Sequence, residues 1–217
     1  MGQHLAWDKP VYAPFRCVAS AMGVDCASLV PDFETDMALS ATPYKVELNI
    51  TDLDRDVYAN PRFTMARHPS ETEDRLASRL LALALWYDES LSFGRGLSNV
   101  EEAALWQKTL DGRIAHWIEV GQPDADRLTW CSRRCERLSL MVYGERRVWE
   151  SKVLAGVSLD NLSVVALPPK ELSELAAGMS RSLDWTVMIS GDTLFVTVDE
   201  EQHELPLTWL KGERHQR

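Results

Sequence analysis

The amino-acid sequence predicts a single α/β domain, a mixed, twisted β-sheet flanked by helices, and three observations lead there. Strand-like alternation in "TPYKVELNI" and "DWTVMISGDTLFVTV" brackets a helical pattern in "HPSETEDRLASRLLALALWYDESL", so helices interrupt the sheet. The runs "LSLMVYG" and "NLSVVAL" are short and continuously apolar, as in strands covered on both faces. The 217 residues are 45% apolar and 26% charged, enough for one sizeable core.

Residues 1–36 have no sustained period, carry three prolines and end in the acidic "PDFETD" before Met37. They read as an N-terminal extension, with 37–217 as the α/β domain and Met37 as a second candidate translation start. From there "TPYKVELNI" and "RFTMAR" read as paired strands. Ser70 with Glu73 three residues on forms a capping box for a helix to about Trp86, with Leu76, Leu80, Leu83 and Tyr87 on one stripe. The strand "EEAALWQKT", the turn "LDGR" and the strand "IAHWIEV" follow. Asp124 caps a helix to about Arg137, and "LSLMVYG" supplies a core strand. A short helical piece near "RRVWESKVL", the strand "NLSVVAL", a helix from Pro168 and Pro169, and the "DWTVMISGDTLFVTV" hairpin complete the chain.

Composition narrows the function classes. No apolar run approaches the roughly 18 residues of a membrane span, and the N-terminus lacks a signal-peptide pattern. The expectation is a cytoplasmic protein with no membrane partner. A net charge of -10 argues against broad, salt-driven nucleic-acid binding but leaves room for a local basic cleft. Cys17, Cys26, Cys131 and Cys135 have neither C-x-x-C spacing nor a companion histidine, so buried thiols are expected in place of zinc or a disulfide.

The residue that asks for chemistry is Glu119, between Ile118 and Val120 in a strand apolar on both faces. An ionised carboxylate there needs a cation, a metal or backbone donors. If Asp111-Gly112 is a two-residue type I′ loop, Leu110 pairs with Arg113 and Glu119 faces Ala104. Glu102 is then diagonal to Glu119, roughly 5 to 8 Å away, with Glu101 on the opposite face. Two carboxylates so placed suit Mg²⁺ or Mn²⁺. An arginine partner for Glu119, with Glu101 and Glu102 in solvent, is the alternative.

The strings "MALSATPYKVELNITDLDR", "ARHPSETEDRLASRLLA", "GLS", "WIEVGQPDADR" and "NLSVVAL", with Trp209 near the end, resemble the YaeQ family, whose fold is similar to the PD-(D/E)XK nuclease superfamily. The resemblance implies a restriction-endonuclease-like core. It also implies that Glu71 is the helical acid, that "EEA" at 101–103 stands where the family has "DEP", and that Glu119 is the acid of E-x-K. The activity implied is Mg²⁺-dependent phosphodiester hydrolysis, with Glu71, Glu102, Glu119, Arg127 and Arg134 in catalytic roles and Glu101, Glu102 and Glu119 as metal ligands.

The chain departs from that pattern. Gly121 occupies the third position of E-x-K, and in "RLTWCSRR" Trp130 stands where the family pattern "R-x-x-K-A" has lysine. Arg127 or Arg134, on one helical stripe with Trp130 and Arg137, then supplies the positive charge, although a guanidinium is not equivalent to an ammonium. Trp130 is placed to stack on an arginine, a base or a neighbouring loop. Glu71 also suits a purely structural role, as a first-turn acid pairing with Arg75, and His68 suits a loop role better than that of a general base. The alternative function is a catalytically impaired member of this fold that binds a nucleic acid or a protein and cuts nothing.

Overall fold

Strict alternation makes β1 (Thr42–Asp52) an inward row of Tyr44, Val46, Leu48 and Ile50, the period a half-buried strand needs. In the computed structural model, residues 41–94 and 101–213 are described. Every described residue belongs to one compact unit, Leu39–Arg217. The expected extension, with Cys17 and Cys26, lies outside the described residues.

The first sheet is ordered β11-β10-β9-β1-β2, with β3 (Arg62–Arg67) also on β1. Its other strands are β2 (Val57–Ala59), β9 (Ser182–Ser190), β10 (Thr193–Val198) and β11 (Glu201–Pro206). Pairing of β1 with β9 is parallel and the rest is antiparallel. The second sheet runs β12-β8-β7-β6-β5-β4, from β4 (Leu91–Phe93), β5 (Leu105–Lys108), β6 (Ile114–Val120), β7 (Cys135–Val142), β8 (Leu162–Ala166) and β12 (Thr208–Lys211). Strands β6, β7 and β8 are parallel at its centre.

The domain is thus α/β with mixed sheets, but it has two where one was expected. The reason is α1 (Glu73–Leu85), in which every residue from Leu76 to Leu85 is buried. A helix apolar all round must be covered all round. Its side chains share one core with the inward rows of β1, β9 and β10, with Ile118 and Val120 of β6, and with Leu172 and Leu175 of α4 (Pro169–Ala177). A second core lies on the other face of the second sheet, where Trp117, Leu138, Leu140 and Val164 meet Leu128 and Cys131 of α2 (Ala125–Ser132) and Trp149 of α3 (Arg147–Lys152). No helix among the described residues is long and apolar enough to cross a membrane.

Three local expectations are corrected. The cap of α1 is Thr72, accepting from the Arg75 amide at 3.3 Å, and not Ser70. The Ser70 hydroxyl is taken by His68 Nδ1 at 2.7 Å, so Glu71 precedes the cap and turns inward. Helix α2 ends at Ser132, and Cys135 already pairs with Ile114. Continuing the ladder from β6 overrides helical patterning there.

The hairpin turn is the third. Its loop has three residues, Leu110 to Gly112, closed by the Thr109 amide on Arg113 O at 2.9 Å, with Gly112 at φ +86°. A bulge at Ala115 then restores the expected register, so Gln107 pairs with His116 and Leu105 with Ile118.

Candidate functional site

Strand β6 sends Ile118 and Val120 toward α1, while Trp117 and Glu119 face α2. The chain leaves β6 through Gly121, whose φ of +118° favours glycine, and an added Cβ would lie 3.2 Å from Arg75 Nη1. Asp124 then caps α2 by accepting from the Arg127 amide at 2.7 Å. That fixes Arg127 at the start of α2, within hydrogen-bond reach of Glu119.

Glu119 is 8% exposed, and its Oε1 gathers four donors. Arg127 donates from Nε at 3.1 Å and Nη2 at 2.5 Å, Trp117 from Nε1 at 2.9 Å, and the Cys131 thiol lies at 3.6 Å. The guanidinium supplies the cation that the strand pattern demanded. Burial first, and then the Glu119 charge, push the Cys131 thiol up, so it stays protonated as a donor. Burial pushes the Cys135 thiol up to about 11. Cys131 and Cys135 are free thiols.

Glu71 is held separately. Arg79 Nη1 reaches both of its carboxylate oxygens at 3.1 Å, Arg75 Nε lies 3.6 Å away, and the His68 amide is 3.4 Å from Oε2. Glu71 and Arg79 are both buried. Desolvation, the largest effect, lowers the Arg79 pKa, and the Glu71 charge partly restores it. Arg79 also lies 5.2 Å from the centre of the Phe93 ring. Arg75 Nη1 donates to the Val120 carbonyl, tying this cluster to the end of β6.

Glu101 and Glu102 do not stand on the strand. They lie in a turn before β5, Glu101 exposed and Glu102 half-buried, and the Glu102 carbonyl accepts from Arg127 Nη2 at 3.1 Å. Arg134 does not reach Glu119 in any described contact. It lies over the Trp130 ring, with its Cζ 3.8 Å from the ring centre and Nη1 on the Trp130 carbonyl at 2.9 Å. Arg137, in β7, faces His116.

These residues do not fit the divalent ion that Glu101, Glu102 and Glu119 were expected to hold. A metal at Glu119 would compete for Oε1 with a guanidinium, an indole N–H and a thiol. Among the described residues no three His, Cys, Asp or Glu side chains form a metal-binding group.

Aromatic rings surround the Arg127–Glu119 pair. Trp117 meets Trp106 edge-on at 5.8 Å and Trp130 edge-on at 5.7 Å. Arg127 lies 4.9 Å from the Trp130 ring centre and 5.5 Å from that of Trp117, and Lys108 Nζ is 3.6 Å above Trp106.

The YaeQ protein family model matches residues 37–207. The chain belongs to the YaeQ family. It is 34% identical to the YaeQ protein of Escherichia coli K12 over 175 residues, covering 79% of this chain and 97% of that protein, and equally identical over the same span to the Salmonella typhi protein. Its structure is similar to the crystal structure of YaeQ from Pseudomonas syringae, with a TM-score of 0.79, 60% identity, and 81% and 98% of the two chains covered. For YaeQ from Xanthomonas axonopodis pv. citri the TM-score is 0.77, with 35% identity, 80% and 100% covered.

In this YaeQ-family chain, then, the expected residues sort into an Arg127–Glu119 pair under α2 and a Glu71–Arg79–Arg75 cluster at α1. The sequence reading missed Arg79, Trp117, Trp106 and Lys108. The signal for Arg79 was an arginine opening the uninterrupted apolar run "LLALALW" at 80–86. It also missed a buried chain in which Arg137 Nη2 meets His116 Nδ1 at 2.9 Å, His116 Nε2 meets Ser139 Oγ at 2.8 Å, and Ser139 meets Ser163 at 3.1 Å. Arginine only donates, so Nδ1 accepts and Nε2 carries the proton. His116 therefore cannot take a proton from Ser139 at Nε2, and the pair is no nucleophile and base.

Proposed function

We propose that this chain carries a restriction-endonuclease-like core that binds nucleic acid without hydrolysing it. The observation carrying the reading is the Arg127 guanidinium, two of whose nitrogens donate to Glu119 Oε1 at 3.1 and 2.5 Å. Hydrolysis by a fold of this kind needs that carboxylate on a metal that polarises the phosphoryl oxygen and activates water. Here the acid is neutralised by a cation that cannot deprotonate.

The surroundings favour a nucleic-acid ligand over a protein one. Half-buried tryptophans with cations on their faces suit stacked bases and phosphates. The exposed large apolar side chains among the described residues, Leu53, Tyr58, Leu110 and Val148, come from the β1–β2 turn, β2, the β5–β6 loop and α3, not from one continuous element.

The test is an incubation of the full chain with labelled single- and double-stranded DNA and RNA, with Mg²⁺, Mn²⁺ or EDTA. Binding that persists in EDTA, with no cleavage above a Glu119→Gln control, is expected. Metal-dependent cleavage lost in Glu119→Gln would replace this reading with a nuclease, and no binding to any of the substrates would end it.

A further inference from the structure

Three tryptophans form a row of contacts where α2 covers the second sheet: Trp106 of β5, Trp117 of β6 and Trp130 of α2 itself. The buried central ring, Trp117, is fixed by its N–H on Glu119 at 2.9 Å and meets an outer ring edge-on at each side. The outer two, Trp106 and Trp130, are half-buried, and each carries an exposed cation: Lys108 Nζ 3.6 Å from one ring centre and Arg134 Cζ 3.8 Å from the other. Edge-to-face packing on a rigid centre holds the two outer indoles in place, so little ordering entropy remains to be lost on binding.

We propose that this row is a binding surface for single-stranded nucleic acid, in which two bases of one strand stack on Trp106 and Trp130 while Lys108 and Arg134 move onto neighbouring phosphates. The proposal rests on the nucleic-acid reading above and adds to it the strandedness and the residues. Each outer ring is covered by the kind of group a nucleotide can replace without loss. The base supplies a π-face, and the displaced ammonium or guanidinium gains a phosphate, a stronger partner than an indole. A duplex keeps its base faces stacked inside the helix and cannot make this exchange.

Charge sets the affinity class. The chain is net -10, and the first turn of α2, the helix that carries Trp130, holds the acidic Asp126. Binding therefore leans on stacking more than on phosphate. Two phosphate contacts correspond to a slope of log affinity against log salt of about -1.4, shallow for a nucleic-acid binder.

The test is fluorescence anisotropy of the full chain with a fluorescein-labelled twelve-nucleotide oligothymidine and with a duplex of the same length, in EDTA across a salt series. The single strand is expected to bind at least tenfold more tightly than the duplex. Trp106→Ala and Trp130→Ala should each weaken single-strand binding by about 5- to 150-fold, and the Lys108→Ala/Arg134→Ala double variant, altering only exposed side chains, should flatten the salt slope by about 1.4. Equal affinity for strand and duplex overturns the proposal. So does wild-type affinity in both tryptophan variants, or an unchanged slope in the double variant. If the duplex is the preferred ligand and the tryptophan variants bind it normally, the row falls while the nucleic-acid reading stands. If wild type binds neither probe, both fall.

Discussion

Arg79→Met is expected to lower the free energy of unfolding by about 3 to 5 kcal/mol, measured by urea denaturation, because it strands a buried charge. Glu71 has both oxygens on Arg79 Nη1 at 3.1 Å, and its other cation, Arg75, stands off at 3.6 Å. Methionine fills the volume of the arginine stem but leaves the carboxylate facing the α1 core. The double variant Glu71→Gln/Arg79→Met should recover much of the loss, since the cost of the single change is the orphaned charge and not the absence of a favourable pair. A double variant no more stable than Arg79→Met alone would mean that the ion pair itself, and not the orphaned charge, carries the loss.

Trp117→Ala is expected to cost a similar amount, about 3 to 5 kcal/mol, for a different reason. The indole is 1% exposed, so its removal leaves a cavity between β6 and α2. Trp106 and Trp130 also lose the ring they lean on. Trp117→Phe separates the two contributions. It keeps most of the volume and removes only the N–H on Glu119, for which a loss of about 1 to 3 kcal/mol is expected in the same denaturation experiment. If phenylalanine and alanine cost the same, the hydrogen bond dominates and the packing account of the row is wrong.

How far the sequence reached depended on whether local pattern or tertiary covering decided each element. Alternation in "TPYKVELNI" and the Asp124 cap act within a few residues, and both are seen. The need of Glu119 for a partner was legible because a carboxylate between apolar neighbours breaks the strand pattern, and of the partners considered the structure supplies Arg127. The register of the β5–β6 hairpin came out right through two compensating errors, a loop one residue longer than assumed and a bulge at Ala115.

What stayed hidden needed knowledge of neighbours. The α1 pattern was read as a stripe, yet the helix is covered on all sides, which put Arg79 inside and split the strands between two sheets. The end of α2 carries no stop signal in "CSRRC". Only the pairing of Cys135 with Ile114 ends it, and that pairing removed Arg137 from the stripe shared with Arg127 and Trp130. Arg134, also beyond the helix, nonetheless kept its contact with Trp130.

Everything functional here turns on what occupies Glu119. Calorimetric titration of Mn²⁺ into the purified full chain at neutral pH, with Glu119→Gln in parallel, addresses it most directly. The Arg127–Glu119 pair predicts no saturable heat in wild type and the same trace in the variant. A one- or two-site isotherm in wild type that Glu119→Gln abolishes would show that the guanidinium yields its place to a metal, and would contradict the non-hydrolytic reading.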